Sequence, residues 1–159
     1  MLDVGDRAPD FDGTTDDGSK CILYDLLKTM NVVLYFYPRD FTPGCATEAC
    51  GFRDNNDAIA KLGAVVMGIS ADNICKHKRF KEKYAIPFPL ISDHNRKIIK
   101  LYQAERRILG TVSIKRVTYV IDKSRTIRGA FHHELAIGHH QHNVIDLLKK
   151  LDLKEKSSC

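Results

Sequence analysis

The apolar positions of this chain fall into short continuous runs separated by longer stretches of helical character. NVVLYFY, residues 31–37, is an almost unbroken series of β-branched, aliphatic and aromatic residues, which predicts a strand buried on both faces. AVVMGIS, 64–70, is a second strand of the same kind. Between them, TPGCATEACGFRDNNDAIAKLG has Thr42 where an N-cap belongs, Pro43 at the first helical position and Gly63 as a terminator after Leu62. That predicts one helix reaching Leu62, with Cys45 in its first turn. ADNICKHKRFKEKY then reads as a helix, PFPLISD as a short strand and NRKIIKLYQ as a short helix. VTYVIDKSRTIRGAFHH reads as a hairpin turning near Lys123 to Arg125, and HNVIDLLKKLDL as a closing amphipathic helix. Residues from about 154 to 159 are expected to form a disordered polar tail. The alternation predicts an α/β domain with a central mixed sheet covered by helices on both faces.

Composition narrows this picture. With 159 residues, 43% of them hydrophobic, the chain suits one domain with a real core. No basic segment followed by an apolar stretch opens it, and no run approaches the ~20 apolar residues that span a bilayer. The expectation is a soluble, cytoplasmic protein with no membrane association. The formal charge of +5 is spread along the chain and is densest in KHKRFKEK, 76–83. That run reads as a solvated helix face, and without an aromatic-basic signature it gives no case for nucleic acid. The five cysteines, at 21, 45, 50, 75 and 159, are an odd number in a chain that needs no staples. Redox or metal chemistry is the better reading of them than a disulfide framework.

Cys45 is the centre of that chemistry. An ordinary thiol, with a pKa near ~8.5, is only about 3% thiolate at pH 7, whereas a value near ~6 would make it about 90% ionised. A helix N-terminus supplies positive potential for such an anion. Thr42 can accept a backbone N–H on a lone pair while its O–H proton points at the sulfur or at a bound substrate. Pro38, just past the strand, has an apolar ring to cap a pocket and no N–H to leave unsatisfied. Cys50 poses a separate problem. In a regular helix, residues five apart rise ~7.5 Å and differ by ~140° in azimuth, which separates their Cα atoms by about 8.7 Å. A disulfide needs less than ~7 Å. If Cys45 and Cys50 react, the first turns of the helix must unwind after Cys45 is oxidised to a sulfenic acid.

These stretches carry a resemblance. VGDRAPDF at 4–11, VVLYFYPRDFTPGCATEACGFRD at 32–54, GISAD at 68–72, PFPLISD at 87–93 and RVTYVID at 116–122 occur in the order found in peroxiredoxins. They most resemble the bacterioferritin comigratory protein, or peroxiredoxin Q, subfamily. IGHHQHNVIDLLKKL looks more loosely like that subfamily's final helix. The resemblance implies a thioredoxin-like fold and a thiol peroxidase acting on hydrogen peroxide and organic hydroperoxides. It makes Cys45 the peroxidatic nucleophile, Thr42 and Pro38 pocket residues, Arg116 the activating guanidinium and Cys50 the resolving thiol. It also implies a thioredoxin or glutaredoxin-like reductant, no cofactor and a monomer. An arginine beside the sulfur stays charged at physiological pH, and its planar fork can hold peroxide oxygens as charge moves onto the leaving oxygen. Glu48, one helical turn from Cys45, can orient such an arginine. Arg107 and Lys115 are alternative cations, and only the RVTYVID match favours Arg116. Position 46 is Ala where many members have Thr.

Other readings stand beside this one. A disulfide oxidoreductase of thioredoxin type would share the architecture, but the chain lacks C-x-x-C. HHELAIGHHQH holds five of the seven histidines and motivates a non-enzymatic metal-binding or holdase protein, but no thiolate or carboxylate set accompanies them. Cys75 lies on the second helix, several residues too early for the resolving thiol that certain subfamily members carry there. Cys21 reads as a small strand residue.

Overall fold

The computed structural model describes residues 1–132 and 139–157. Along the chain run β1 (Asp12–Thr15), β2 (Lys20–Ile22), α1 (Leu23–Leu26), β3 (Asn31–Phe36), α2 (Pro43–Asp54), α3 (Asn56–Lys61), β4 (Ala64–Ser70) and α4 (Ile74–Tyr84). There follow β5 (Leu90–Ser92), α5 (Lys97–Leu101), β6 (Glu105–Ile108), β7 (Thr111–Ile114), β8 (Val117–Ile121), β9 (Ile127–His132) and α6 (His139–Ser157). Seven strands form one mixed sheet in the order β2-β1-β5-β4-β3-β8-β9. Parallel pairing joins β3 to β4 and β4 to β5, and the remaining neighbours are antiparallel.

The unbroken apolar runs follow from that placement. Strand β3 sends Val32, Leu34 and Phe36 to one face and Val33 and Tyr35 to the other, so every position is buried. The first face packs Leu23 at the start of α1 and Ile98 and Ile99 of α5. The second takes Cys45, Ala46, Ala49 and Phe52 of α2, Ile59 of α3, Phe80 of α4, and Val144 and Leu148 of α6. The reactive segment therefore belongs to the face covered by four helices.

The single helix expected between the first two strands of the reading is broken. It ends at Asn55, whose φ of −104° and ψ of 5° leave the helical region, and α3 starts anew. The Asn55 side-chain amide donates to the Gly51 carbonyl at 2.8 Å, the local competition with the backbone that makes asparagine a poor interior helix residue. Strands β6 and β7 form a separate hairpin that the apolar pattern did not mark, because its tip exposes Ile108, Leu109 and Val112. The hairpin at β8–β9 turns between Asp122 and Thr126, as read. Helix α6 continues through 154–157, and Cys159 and residues 133–138 of the histidine-rich stretch lie outside the described residues. No helix among the described residues is long and apolar enough to cross a membrane.

Candidate active site

Beyond the end of β3 the chain turns through residues 37–42 before α2 begins, and this turn is pinned from beneath. Asp40 is buried, with one carboxylate oxygen accepting the Tyr37 hydroxyl at 2.7 Å and the other 2.6 Å from His77 Nδ1. His77 Nε2 lies 3.1 Å from the Ile91 carbonyl, which can only accept, so that nitrogen carries a proton. The Asp40 backbone N–H donates to Asp72 Oδ2 at 2.7 Å. Burial pushes Asp72 up, but hydrogen bonds from the Lys76 ammonium, the Asp40 amide and the Ser70 hydroxyl outweigh it and hold the carboxyl below its ordinary value. Asp40, Asp72 and His77 lie close enough together to suggest a metal-binding trio. Each of their facing atoms, however, already serves this hydrogen-bonded network. The network holds Phe41 at φ 65°, a backbone region costing ~1–3 kcal/mol for a side chain of this kind. Phe41 packs edge-on against Phe80 at 5.4 Å, under the Lys83 ammonium at 5.7 Å.

Thr42 then occupies the N-cap position with extended φ and ψ of −79° and 145°. Contrary to expectation, its hydroxyl neither caps the helix nor aims its proton at the sulfur or toward a substrate. It donates to the Arg39 carbonyl at 3.0 Å, because the tight turn brings that oxygen within reach. The oxygen keeps its capacity to accept. Pro43 has no N–H, and helix geometry leaves the amides of Gly44 and Cys45 without an intrahelical acceptor; the first helical bond is Ala46 N–H to Thr42 O at 2.9 Å. Cys45 is only 1% exposed at this positive end of α2, and Pro38 is half-buried on the turn before it.

One turn along α2, the buried Glu48 carboxylate pairs with Arg116 Nη1 at 3.3 Å. Arg116 lies between β7 and β8 with its side chain mostly buried, so the pairing draws a guanidinium from the antiparallel side of the sheet toward the helix that carries Cys45. The alternatives go elsewhere. Arg107 is mostly exposed and pairs with Glu105, and the exposed Lys115 ammonium donates to the Gln103 carbonyl.

Cys50 is half-buried in the third turn of α2 and opens onto a surface groove between α2 and α6. Cys45 and Cys50 are both free thiols, held apart by a continuous helix. Cys21 lies on β2, where burial and then Asp12 push its thiol up to about 11. Cys75 is exposed in the first turn of α4. The residues missed by sequence reasoning are Asp40 and His77. KHKRFKEK is a solvated face except at His77, which shares a buried stripe with Phe80 three residues on. That i, i+3 spacing was the available signal.

The chain has relatives by family, by sequence and by structure. Residues 4–130 match the model of the AhpC/TSA family. The chain is 41% identical to peroxiredoxin Bcp of Bacillus subtilis over 126 residues, covering 77% of this chain and 80% of that protein. Its structure is similar to that of peroxidoxin BcpB from Mycobacterium tuberculosis, with a TM-score of 0.89 at 33% identity, covering 95% of this chain and 99% of the other. It is also similar to a Xanthomonas campestris bacterioferritin comigratory protein described for its alkyl peroxide reduction activity. There the TM-score is 0.82 at 26% identity, covering 89% and 92% of the two chains.

Proposed function

The chain belongs to the AhpC/TSA family and is a thiol peroxidase, and on that premise we propose that Cys45 is its peroxide-reducing nucleophile, Arg116 its activating cation and Cys50 its resolving thiol. The observation that carries this reading is the buried Glu48–Arg116 ion pair one helical turn from a buried cysteine at a helix start.

The chemistry follows from those positions. The Cys45 thiolate attacks one oxygen of the peroxide, the O–O bond breaks, and the other oxygen leaves with a proton as water or an alcohol. Cys45 is then a sulfenic acid. Arg116 and the free amides at the start of α2 stabilise charge as it moves onto the leaving oxygen. With its proton committed to Arg39, the Thr42 hydroxyl can accept a hydrogen bond from the peroxide O–H and so orient it. Pro38 closes the apolar side. The Cys50 thiol next attacks the Cys45 sulfur, water leaves and an intramolecular disulfide forms. A dithiol protein of the thioredoxin or glutaredoxin kind restores both thiols by exchange. The reading takes hydrogen peroxide and organic hydroperoxides as substrates, the second from the likeness to the Xanthomonas campestris protein. It takes a monomer in the cytoplasm as the working form.

Helix α2 is built to permit the resolving step. The apolar residues that leave the core when its first two turns unwind are Cys45, Ala46 and Ala49, all small, and the buried Glu48 leaves with them, giving up its pair with Arg116. Phe52, fully buried and stacked on Tyr35 at 4.8 Å, anchors the last turn. Mass mapping after one equivalent of peroxide tests the whole sequence. Wild type should give a Cys45–Cys50 disulfide, and Cys50→Ser a sulfenic acid on Cys45 that a dimedone probe captures. A Cys45–Cys75 linkage would remove Cys50 from the mechanism.

A further inference from the structure

Helix α2 touches α6 at one point that the peroxidase chemistry does not use. Gln141, in the first turn of α6, is 4% exposed, and its side-chain amide donates to the Glu48 carbonyl in the middle of α2 at 3.3 Å. The contact is possible because position 51 is glycine. A Cβ there would lie 2.4 Å from Gln141 Nε2 and 2.7 Å from its Cδ, well inside contact distance. A glycine inside a helix costs ~0.5–1 kcal/mol relative to alanine, so Gly51 weakens α2 while admitting Gln141. The same groove, of about 540 Å³, is lined by Cys50, Gly51, Tyr84, Gln141 and His142.

From this geometry we infer that Gln141 is a positioning residue, a latch that holds the Glu48 turn of α2 closed and sets how often Cys50 is released toward an oxidised Cys45. The inference rests on Cys50 as the resolving thiol. Its chemical consequence is a partition of the sulfenic acid. Closed, Cys45 sulfenic acid stays away from Cys50, and a second peroxide can oxidise it to the sulfinic acid with loss of water or alcohol. Open, the Cys50 thiol displaces water and forms the disulfide. The latch engages the backbone of Glu48 and leaves the carboxylate that pairs with Arg116 untouched.

The test uses Gln141→Glu, which keeps the shape but gives up the donor, and Gln141→Ala. Both should speed disulfide formation about fivefold, the size of one modest hydrogen bond. They should raise by a similar factor the peroxide concentration that half-inactivates the enzyme through sulfinic acid, and leave the rate of Cys45 oxidation within twofold. Hydrogen exchange across 45–52 in the reduced protein reads the latch without passing through Cys50, and should quicken to the same extent. Gly51→Ala supplies a second readout. In the Gln141→Ala background it should slow exchange, since only the gain in helix propensity remains. With Gln141 present it should not, since the new methyl displaces the latch. Equal slowing in both backgrounds, or wild-type disulfide and exchange rates in Gln141→Glu, overturns the latch. Fast exchange in the variants with no Cys45–Cys50 disulfide in any of them overturns the resolving role and leaves the latch standing.

Discussion

Helices α2 and α4 are nearly equal in length, lie on the same face of the sheet and each carry a cysteine in the first turn. Only α2 carries the reaction centre proposed above. Helix α4 is closed at both ends: Asn73 accepts the Lys76 amide at 2.8 Å, and Ala85 ends it at φ 50° with Ile86 N–H bonded to the Lys81 carbonyl. Its Cys75 faces solvent. Helix α2 has no side-chain cap at its N-terminus, ends in a break at Asn55 and buries Cys45. A helix N-terminus is thus common to both thiols. The differences are burial, the Glu48–Arg116 pair one helical turn from Cys45 and a helix start without a side-chain cap.

The largest effect should separate the two cysteines. Cys45→Ser should bring peroxide turnover below a few per cent of wild type, while Cys75→Ser stays within twofold; loss of activity in both would erase the contrast. Next is the buried pair that joins the helices. His77→Leu removes one of the hydrogen-bond partners of the buried Asp40 side chain and should cost ~1–3 kcal/mol in chemical denaturation, with Asp40→Asn in the same chain recovering part of it. A cost below ~1 kcal/mol would mean that α4 does not pin the turn before α2. Arg116→Met should lower the peroxide rate by ~10², the scale of one oriented charge-stabilising donor, with Arg107→Met near wild type. Unchanged rates in stopped-flow would dismiss Arg116.

The smallest effect contrasts the two caps. Asn73→Ala should cost ~1 kcal/mol of stability and leave activity alone. Thr42→Val should do the reverse, lowering the peroxide rate more than the stability, because its hydroxyl bonds Arg39 and not the helix amides. A larger stability loss at Thr42 than at Asn73 would show that α2 is the better capped helix after all.

Much of α2 was legible before any coordinates. Its start at Pro43, the first-turn place of Cys45, the partnership of Glu48 with Arg116 and the separation of Cys50 all follow from spacing or from the resemblance, and the geometry agrees. The Asp40–His77 bond was not legible. It joins residues 37 apart in sequence; the spacing of His77 to Phe80 marks His77 as buried, but nothing in composition or period names Asp40 as its partner. The break at Asn55 was missed because its cause is one side-chain amide choosing a carbonyl. The Thr42 proton was misplaced for a related reason: the Arg39 carbonyl enters its reach only through a turn with Phe41 in the left-handed region.

The burial of Phe52 bears on the kinetic order of resolution. Cys50 is two residues from a ring that stays in the core, and Cys45 is five residues before it, so the opened segment is a tether fixed at its far end. Such a tether presents one thiol to the other at an effective concentration on the order of millimolar or above. On the proposed mechanism, resolution by Cys50 is first order in protein. Diluting the enzyme should leave the rate constant of disulfide formation unchanged, and thiols on other molecules must reach comparable concentrations before they compete for the sulfenic acid.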